Sequence, residues 1–271
     1  AGTITFSTSF AISAATHYIL RGDFASLSLG DQVIIGLAAA DITASDVVSG
    51  STTSLTHIEK IQCYYEKFQA WTATTADTWE TQSLSAYSVP ASAVVEIAVR
   101  NDNTGTERYG GVRAVGSSLD RRLLLNQATS GGVAVLVMHV QTNASSQIQH
   151  YSDVTADVDF VLLGYWTCGT YVEAFSTFTA GASTTWTDKN LCSYGVGPGH
   201  IAEFVMTNDD IAAEREAGVR TNGSSLERRL NIHQASGGGV DTATMFVEAD
   251  TSSGSTIEVY AQDDVDVDFY L

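Results

Sequence analysis

The sequence predicts an all-β protein made of two tandem β-sandwich domains, and three observations support this fold class. Residues 111–123 return with few changes as residues 218–230, an offset of 107 positions. Apolar and polar residues alternate with the period of two that is typical of β-strands. Clusters of Gly, Ser, Asn and Asp interrupt the alternation about every ten residues, which is the spacing of turns in small β-domains.

The repeat defines the domain organisation. The offset of 107 residues holds without a gap from Tyr64 to about Gln147 of the first copy, and it grows to 109 near the end of the copy. We therefore predict one sandwich at 56–165 and a second at 166–271, each long enough to bury its own core. Residues 1–55 match neither copy, and they are expected to be either extra strands or an oligomerisation arm that pairs with a neighbouring subunit.

Each strand of the first copy is predicted from one bounded stretch of alternation, and the second copy repeats the pattern. The eight strands are expected at residues 62–72, 78–84, 93–100, 108–115, 119–126, 133–141, 147–152 and 157–165. Eight strands in about a hundred residues, with almost no helix signal, are typical of a two-sheet sandwich, and we expect a jelly-roll-like arrangement.

Charge and hydropathy exclude two classes of partner. The formal net charge is −18, from 31 acidic and 13 basic residues. Such a surface repels phosphate backbones, so nucleic-acid binding is not expected. No apolar run has the length of a membrane span, so membrane insertion is not expected either.

An arginine lies within an apolar row of each copy. Alternation places Arg121 on the same face as Leu119, Leu123 and Leu125, and Arg228 takes the same place in the second copy. A buried charge without a partner is costly, so each arginine should have a carboxylate beside it. The candidate partners are Glu107 or Asp159 for Arg121, and Glu214 or Asp268 for Arg228. Such a pair would join two strands, or the arginine would grip a carboxylate or a sugar.

Paired aspartates form a second candidate site. Asp157 and Asp159 alternate with apolar residues, so both carboxylates should point to one side of a strand, and Asp266 and Asp268 repeat the arrangement. Carboxylates at a strand entrance can bind calcium, although no EF-hand spacing is present and a solvated strand face is the alternative. The same acids could form a glycosidase pair. No other cofactor is expected.

Two further side-chain sets leave alternatives open. Cys168 and Cys192 flank the first strands of the second copy, and they are either a disulfide pair or free buried thiols. Trp79 and Trp186 match between the copies, so they are either core residues or exposed platforms for sugars. The sequence contains none of the common catalytic motifs, which favours a protein that is not an enzyme.

The repeated motif resembles a known group of modules. Gly-Val-Arg-x-x-Gly-Ser-Ser-Leu-(Asp/Glu)-Arg-Arg-Leu, with Asp-Val-Asp-Phe near the end of each copy, is similar to duplicated β-sandwich modules of tailed-phage virion proteins and extracellular structural proteins. The resemblance covers about residues 62–271. It implies a β-sandwich in an assembly, in a virion or outside the cell, and it implies no ligand or activity.

The leading hypothesis is a structural protein of a large homo-oligomeric assembly, such as a phage capsid, decoration or tail component or an extracellular filament. Its partners would be further copies of itself and other virion or surface proteins. The alternative is a carbohydrate-binding module or lectin-like adhesin, assisted by calcium, whose partners are glycans. A glycan-processing enzyme is a third hypothesis, and it requires a carboxylate pair in a cleft of one copy.

Overall fold

The computed structural model describes residues 64–129, 131–250 and 254–271. Within this part of the chain, sixteen strands form four antiparallel sheets of four strands each. The predicted N-terminal segment at 1–55 and Cys63 lie outside the described residues. The described residues contain no helix that is long and apolar enough to cross a membrane.

The first sandwich contains eight strands, close to the predicted positions. They are β1 (Tyr64–Thr72), β2 (Thr78–Ser83), β3 (Val94–Asn101), β4 (Arg108–Ala114), β5 (Arg122–Leu125), β6 (Ala134–Gln141), β7 (Gln147–Ser152) and β8 (Val158–Trp166). One sheet has the order β1-β8-β3-β6 and the other the order β2-β7-β4-β5. This double-sheet order is that of a jelly roll, so the predicted fold class is confirmed.

The second sandwich repeats this topology. Its strands are β9 (Thr177–Phe178), β10 (Thr187–Asn190), β11 (Ile201–Asn208), β12 (Arg215–Thr221), β13 (Arg229–Ile232), β14 (Asp241–Glu248), β15 (Thr256–Ala261) and β16 (Val267–Tyr270). The sheets are ordered β9-β16-β11-β14 and β10-β15-β12-β13. Strand β9 is much shorter than its counterpart β1, because the residues that precede it run along the first sandwich instead.

Period-two alternation builds each core. Strand β3 turns Val95, Ile97 and Val99 inward, and β11 does the same with Phe204 and Met206. Burying such side chains from both sheets stabilises each sandwich by roughly 1.5–3 kcal/mol per large residue.

The repeated motif is a structural feature of the loop between β4 and β5. A Cβ atom added at Gly111 would lie 1.9 Å from the carbonyl oxygen of Arg121, so only glycine allows this close approach. Arg113 donates from Nη1 to the carbonyl oxygen of Leu119 at 3.0 Å, which closes the loop. The second copy repeats both contacts, at Gly218 and Arg220. Strand β5 begins at Arg122, three residues after the predicted start of the strand at 119.

The matching tryptophans are covered by arginines. The guanidinium carbon of Arg113 lies 4.1 Å from the ring centroid of Trp79, and Arg220 lies at the same distance from Trp186. These cation–π contacts occupy one face of each indole. The two tryptophans are therefore neither core residues nor platforms with two open faces.

The two cysteines do not form a disulfide. Cys168 follows β8 in the connection between the sandwiches, and Cys192 begins a short 3-10 helix at Cys192–Tyr194. Both are free and exposed. The predicted bridge is wrong, and so is the alternative of buried thiols, because both residues lie in surface connections rather than in facing strands.

The second sandwich covers one open side of the first. Strands β5 and β6 are edge strands of the two sheets of the first sandwich. Thr242 and Thr244 of β14 donate to the carbonyl oxygens of Val135 and Val137 on β6. The backbone N–H of Val240 donates to the carbonyl oxygen of Leu124 on β5 at 2.8 Å.

This contact extends into the first core. Val205 and Tyr270, from the outer face of a sheet of the second sandwich, pack against the apolar core of the first, as does Phe175. The edge strands β5 and β6 of the first copy therefore pack against a sheet face of the second copy. The two copies contribute different surfaces to the junction.

Candidate functional site

Arg121 lies at the centre of a polar network at this junction. It is 5% exposed, and Nη1 donates to the carbonyl oxygen of His139 at 3.0 Å. The same nitrogen lies 3.1 Å from Oε1 of Glu173, and Nη2 donates to the hydroxyl of Tyr171 at 3.1 Å. Glu173 also accepts from the backbone N–H of Ala114 at 2.7 Å. The inward arginine is thus placed as alternation predicted, in an ion pair with the other copy.

The predicted partners of the two arginines lie elsewhere. Glu107 packs against the second copy. A Cβ atom added at Gly239 would lie 2.7 Å from the Cγ atom of Glu107. Glu214 accepts from Asn231 at 2.8 Å. Arg228 donates from Nη2 to the carbonyl oxygen of Phe246 at 2.9 Å, and it has no carboxylate partner among the described residues. The carboxylate partner of Arg121 is Glu173, which lies in the connection between β8 and β9 and not on a neighbouring strand.

A second part of the network joins a histidine to two glutamates. Nδ1 of the buried His139 lies 2.5 Å from Oε1 of Glu203, and its Nε2 lies 3.9 Å from Oε1 of Glu96. The other oxygen of Glu203 accepts from the hydroxyl of Tyr171 at 2.9 Å. In the first copy, Tyr64 donates to Glu96 at 2.8 Å in the equivalent way. The tyrosine–glutamate pair is therefore part of each copy, and His139 lies between the two pairs.

Burial changes the acidity of the two tyrosines. It raises the pKa of Tyr171 above its usual range; the charge of Arg121 opposes this, and Glu203 adds to it. Burial also raises the pKa of Tyr64 to about 12, and the hydrogen bond to Glu96 acts in the same direction. Both hydroxyls therefore remain hydrogen-bond donors at neutral pH.

A groove of about 630 Å3 opens beside this network. Its walls are mainly apolar, and rings from both sandwiches and from the connection contribute to them. The aromatic residues of the lining are Trp166, Tyr171, Tyr194 and Phe246. Thr170, His200 and Glu203 are among its polar residues. The side chain of Phe246 is 44% exposed. Concave, largely apolar sites with a few polar groups at a domain interface are typical ligand sites.

The four aspartates lie away from the groove, and three of them interact with arginines. Asp157 accepts from Arg108 at 2.7 Å, and Asp266 and Arg215 repeat this pair at 2.7 Å. Asp157 has a φ of 42°, so it precedes the strand and does not alternate regularly with Asp159. Asp159 lies 3.4 Å from Arg100.

Asp268 is in a different environment. Burial raises its pKa, and the charges of Asp209 and Asp264 add to the effect. Among the described residues, however, no group of three or more His, Cys, Asp or Glu side chains is arranged to hold a metal ion. Calcium at the four aspartates stays a prediction.

The sequence analysis did not identify the residues of the groove. Tyr171, Glu173 and Glu203 belong to matching pairs of the repeat, with Tyr64, Glu66 and Glu96. The sequence signal for these residues was therefore that tyrosine and glutamate recur at equivalent positions of the two copies. That signal does not reveal that the side chains of one copy meet Arg121 and His139 of the other.

Comparisons with known proteins give similarities among solved structures. No protein-family model matches the chain, and no curated protein matches it. Among solved structures, the chain is similar to the N-terminal CBM22-1-CBM22-2 tandem domain from Paenibacillus barcinonensis Xyn10C, with 10% identity and a TM-score of 0.20. The match covers 78% of this chain and 92% of that chain.

Proposed function

We propose that this chain is a non-enzymatic carbohydrate-binding protein and that the groove between its sandwiches holds the sugar. The observation that carries the proposal is the set of four aromatic side chains, Trp166, Tyr171, Tyr194 and Phe246, around one groove of about 630 Å3. A pyranose ring has an apolar C–H face that packs on aromatic rings and hydroxyl groups at its edge that need polar partners. Thr170 and His200 supply such partners in the lining.

The carboxylates of the site favour binding over hydrolysis. Both oxygens of Glu203 are engaged, one by His139 and one by Tyr171. A glycosidase needs two carboxyl groups that face the glycosidic bond, one of them able to donate a proton. The acidic surface, with a net charge of −18, further favours neutral over acidic oligosaccharides.

Binding to a panel of neutral and acidic oligosaccharides tests the proposal, with calorimetry for those that bind. Phe246→Ala is expected to weaken binding about tenfold, because it removes one stacking ring worth about 1.4 kcal/mol. Phe68→Ala is the matched control, since Phe68 is 72% exposed and is not part of the groove. Absence of binding by the unaltered chain, or equal affinities for both variants, would contradict the proposal.

A second candidate function is that of an assembly subunit. The specific observation is that the edges of the first sandwich are covered by the second, whereas the equivalent edge strand β13 is uncovered among the described residues. Leu123 on β5 is 5% exposed, and its counterpart Leu230 on β13 is 43% exposed. Contacts between unlike surfaces are head-to-tail, so such modules can continue into a ring or a filament.

A further inference from the structure

The strongest polar groups of the groove are bound within the protein. One carboxylate oxygen of Glu203 pairs with His139, and the other accepts from the hydroxyl of Tyr171. The same hydroxyl accepts from Arg121. Nε2 of His139 is buried and lies 3.9 Å from a carboxylate oxygen of Glu96. These groups satisfy one another, so recognition of a ligand depends on the rest of the lining.

Among the described residues of the lining, few other polar side chains remain. Thr170 and His200 are exposed. Nδ1 of His200 accepts from the backbone N–H of Gly197 at 3.2 Å, which leaves Nε2 for another partner. Tyr194 and Trp166 add a hydroxyl and an indole N–H. This set can bond the hydroxyls of about one pyranose ring, and each further hydroxyl buried without a partner would weaken binding.

Aliphatic side chains form much of the remaining lining. Val172 is 77% exposed and Ile201 is 65% exposed, and both line the groove. Val94, the equivalent of Ile201 in the first copy, also lines it and is half-buried. Branched aliphatic side chains gain most from contact with alkyl or acyl groups, because both surfaces then leave water. Exposed aliphatic side chains around a concave site therefore fit a ligand that is itself partly apolar.

We propose that the groove binds a sugar that carries an apolar substituent, with the pyranose ring against the aromatic side chains and the substituent against Val172 and Ile201. The substituent is an alkyl or aryl aglycone or an acyl group on the sugar ring, since both present the same apolar surface. Its contact with the two aliphatic side chains adds affinity that an unsubstituted oligosaccharide does not obtain. This inference rests on the proposed sugar-binding function and names the class of sugar.

Matched pairs of glycosides test the inference by calorimetry on the full chain. Methyl and hexyl β-glycosides of glucose, galactose and xylose are compared, and the methyl glycosides are also compared with their derivatives esterified at one hydroxyl with butanoate. For the sugar that fits, a substituted compound is expected to bind at least about tenfold more tightly than the methyl glycoside, because several apolar carbons leave water. The pair that shows the gain identifies the substituent as an aglycone or as an acyl group.

Threonine substitutions at the two aliphatic positions show whether the groove causes this preference. In the double variant Val172→Thr and Ile201→Thr, the ratio of affinities for the substituted and the methyl glycoside is expected to fall at least about fivefold. Val265→Thr with Ile211→Thr makes the same exchanges at exposed positions outside the groove lining, and the ratio is expected to stay unchanged. The ratio compares two ligands on the same protein, so incomplete folding of a variant does not alter it.

The remaining outcomes separate this inference from the proposed function. Methyl glycosides that bind as tightly as their substituted partners would overturn the inference and leave the sugar groove in place. An equal fall of the ratio in both double variants would overturn it as well. Hexanol that binds as tightly as the hexyl glycosides would overturn both the inference and the proposed function, because the sugar ring would then contribute nothing. Absence of binding by every glycoside would also overturn both.

Discussion

His139 of the first sandwich and Phe246 of the second occupy the same position in the repeat, and their rings are in contact, with centroids 5.3 Å apart. The hydrogen bonds from Thr242 to Val135 and from Thr244 to Val137 also join equivalent positions. Strands β6 and β14 therefore run side by side in the same direction, with no shift in the repeat. Within this register the environments differ. The arginine that donates to β6, Arg121, has a tyrosine and a carboxylate from the second copy, whereas Arg228, which donates to β14, has neither among the described residues.

Removal of Arg121 should destabilise the chain far more than removal of Arg228. Arg121→Ala leaves the carboxylate of Glu173 without its charge partner at a buried junction, and we expect a loss of about 3 kcal/mol in the free energy of unfolding. Arg228→Ala is the matched control, and its effect should be about 0.5 kcal/mol or less. Urea unfolding followed by tryptophan fluorescence, at concentrations where the chain is monomeric, measures both. Equal losses would show that Arg121 has no special role at the junction.

The glycine of the motif should not tolerate a side chain. At Gly111 a Cβ atom would lie 1.9 Å from a backbone oxygen, so Gly111→Ala must displace a strand or a loop, and we expect a destabilisation of about 1–3 kcal/mol or more. Gly105→Ala is the control, because its Cβ atom would meet Asn103 at an ordinary 3.8 Å. Thermal unfolding of both variants distinguishes a close backbone approach from a general preference for glycine in turns, which would give similar losses.

Stability should fall as the pH is lowered from about 6.5, and His150 should cause part of this decrease. Burial lowers the pKa of His150 and outweighs the opposing effect of Glu80, whose Oε2 lies 3.4 Å away. Between the lowered native pKa and the unfolded value of about 6.5, the unfolded chain binds more protons than the native chain. Stability therefore rises with pH across this range and is lost on acidification.

The second copy supplies the control for this prediction. Val259 occupies the position equivalent to His150, so His150→Val places a side chain there that the fold already accepts. We expect the variant to show a smaller decrease in melting temperature between about pH 6.5 and pH 5 than the unaltered chain. The same pH dependence in both proteins would assign the decrease to other groups.

Calcium should not raise the melting temperature through the Asp157 and Asp266 sites. Each carboxylate accepts a hydrogen bond from an arginine, so a cation would have to displace a guanidinium. Thermal unfolding with added calcium and with a chelator checks this expectation. A calcium-dependent increase that disappears in Asp268→Asn would instead place a cation beside Asp268, where burial and then the neighbouring acids raise the pKa of the carboxyl group.

The fold was largely predictable because its determinants are local. Alternation placed the strands, and it turned Arg121 and Leu123 inward as observed. The same alternation predicted that Leu230 lies in a buried apolar row, but Leu230 is exposed. Alternation alone could not predict this, because the burial of an edge strand depends on what covers the edge. The partner of Arg121 lies 52 positions away in the other copy, and no local pattern encodes that contact. The site between the copies could be inferred only from their packing.

The packing of Val205 and Tyr270 into the first core has an evolutionary consequence. An ancestral single module with the same open side would have left part of its interior accessible to water unless another molecule covered it. Duplication within one chain supplies a tethered neighbour for that side, whose local concentration does not depend on expression level.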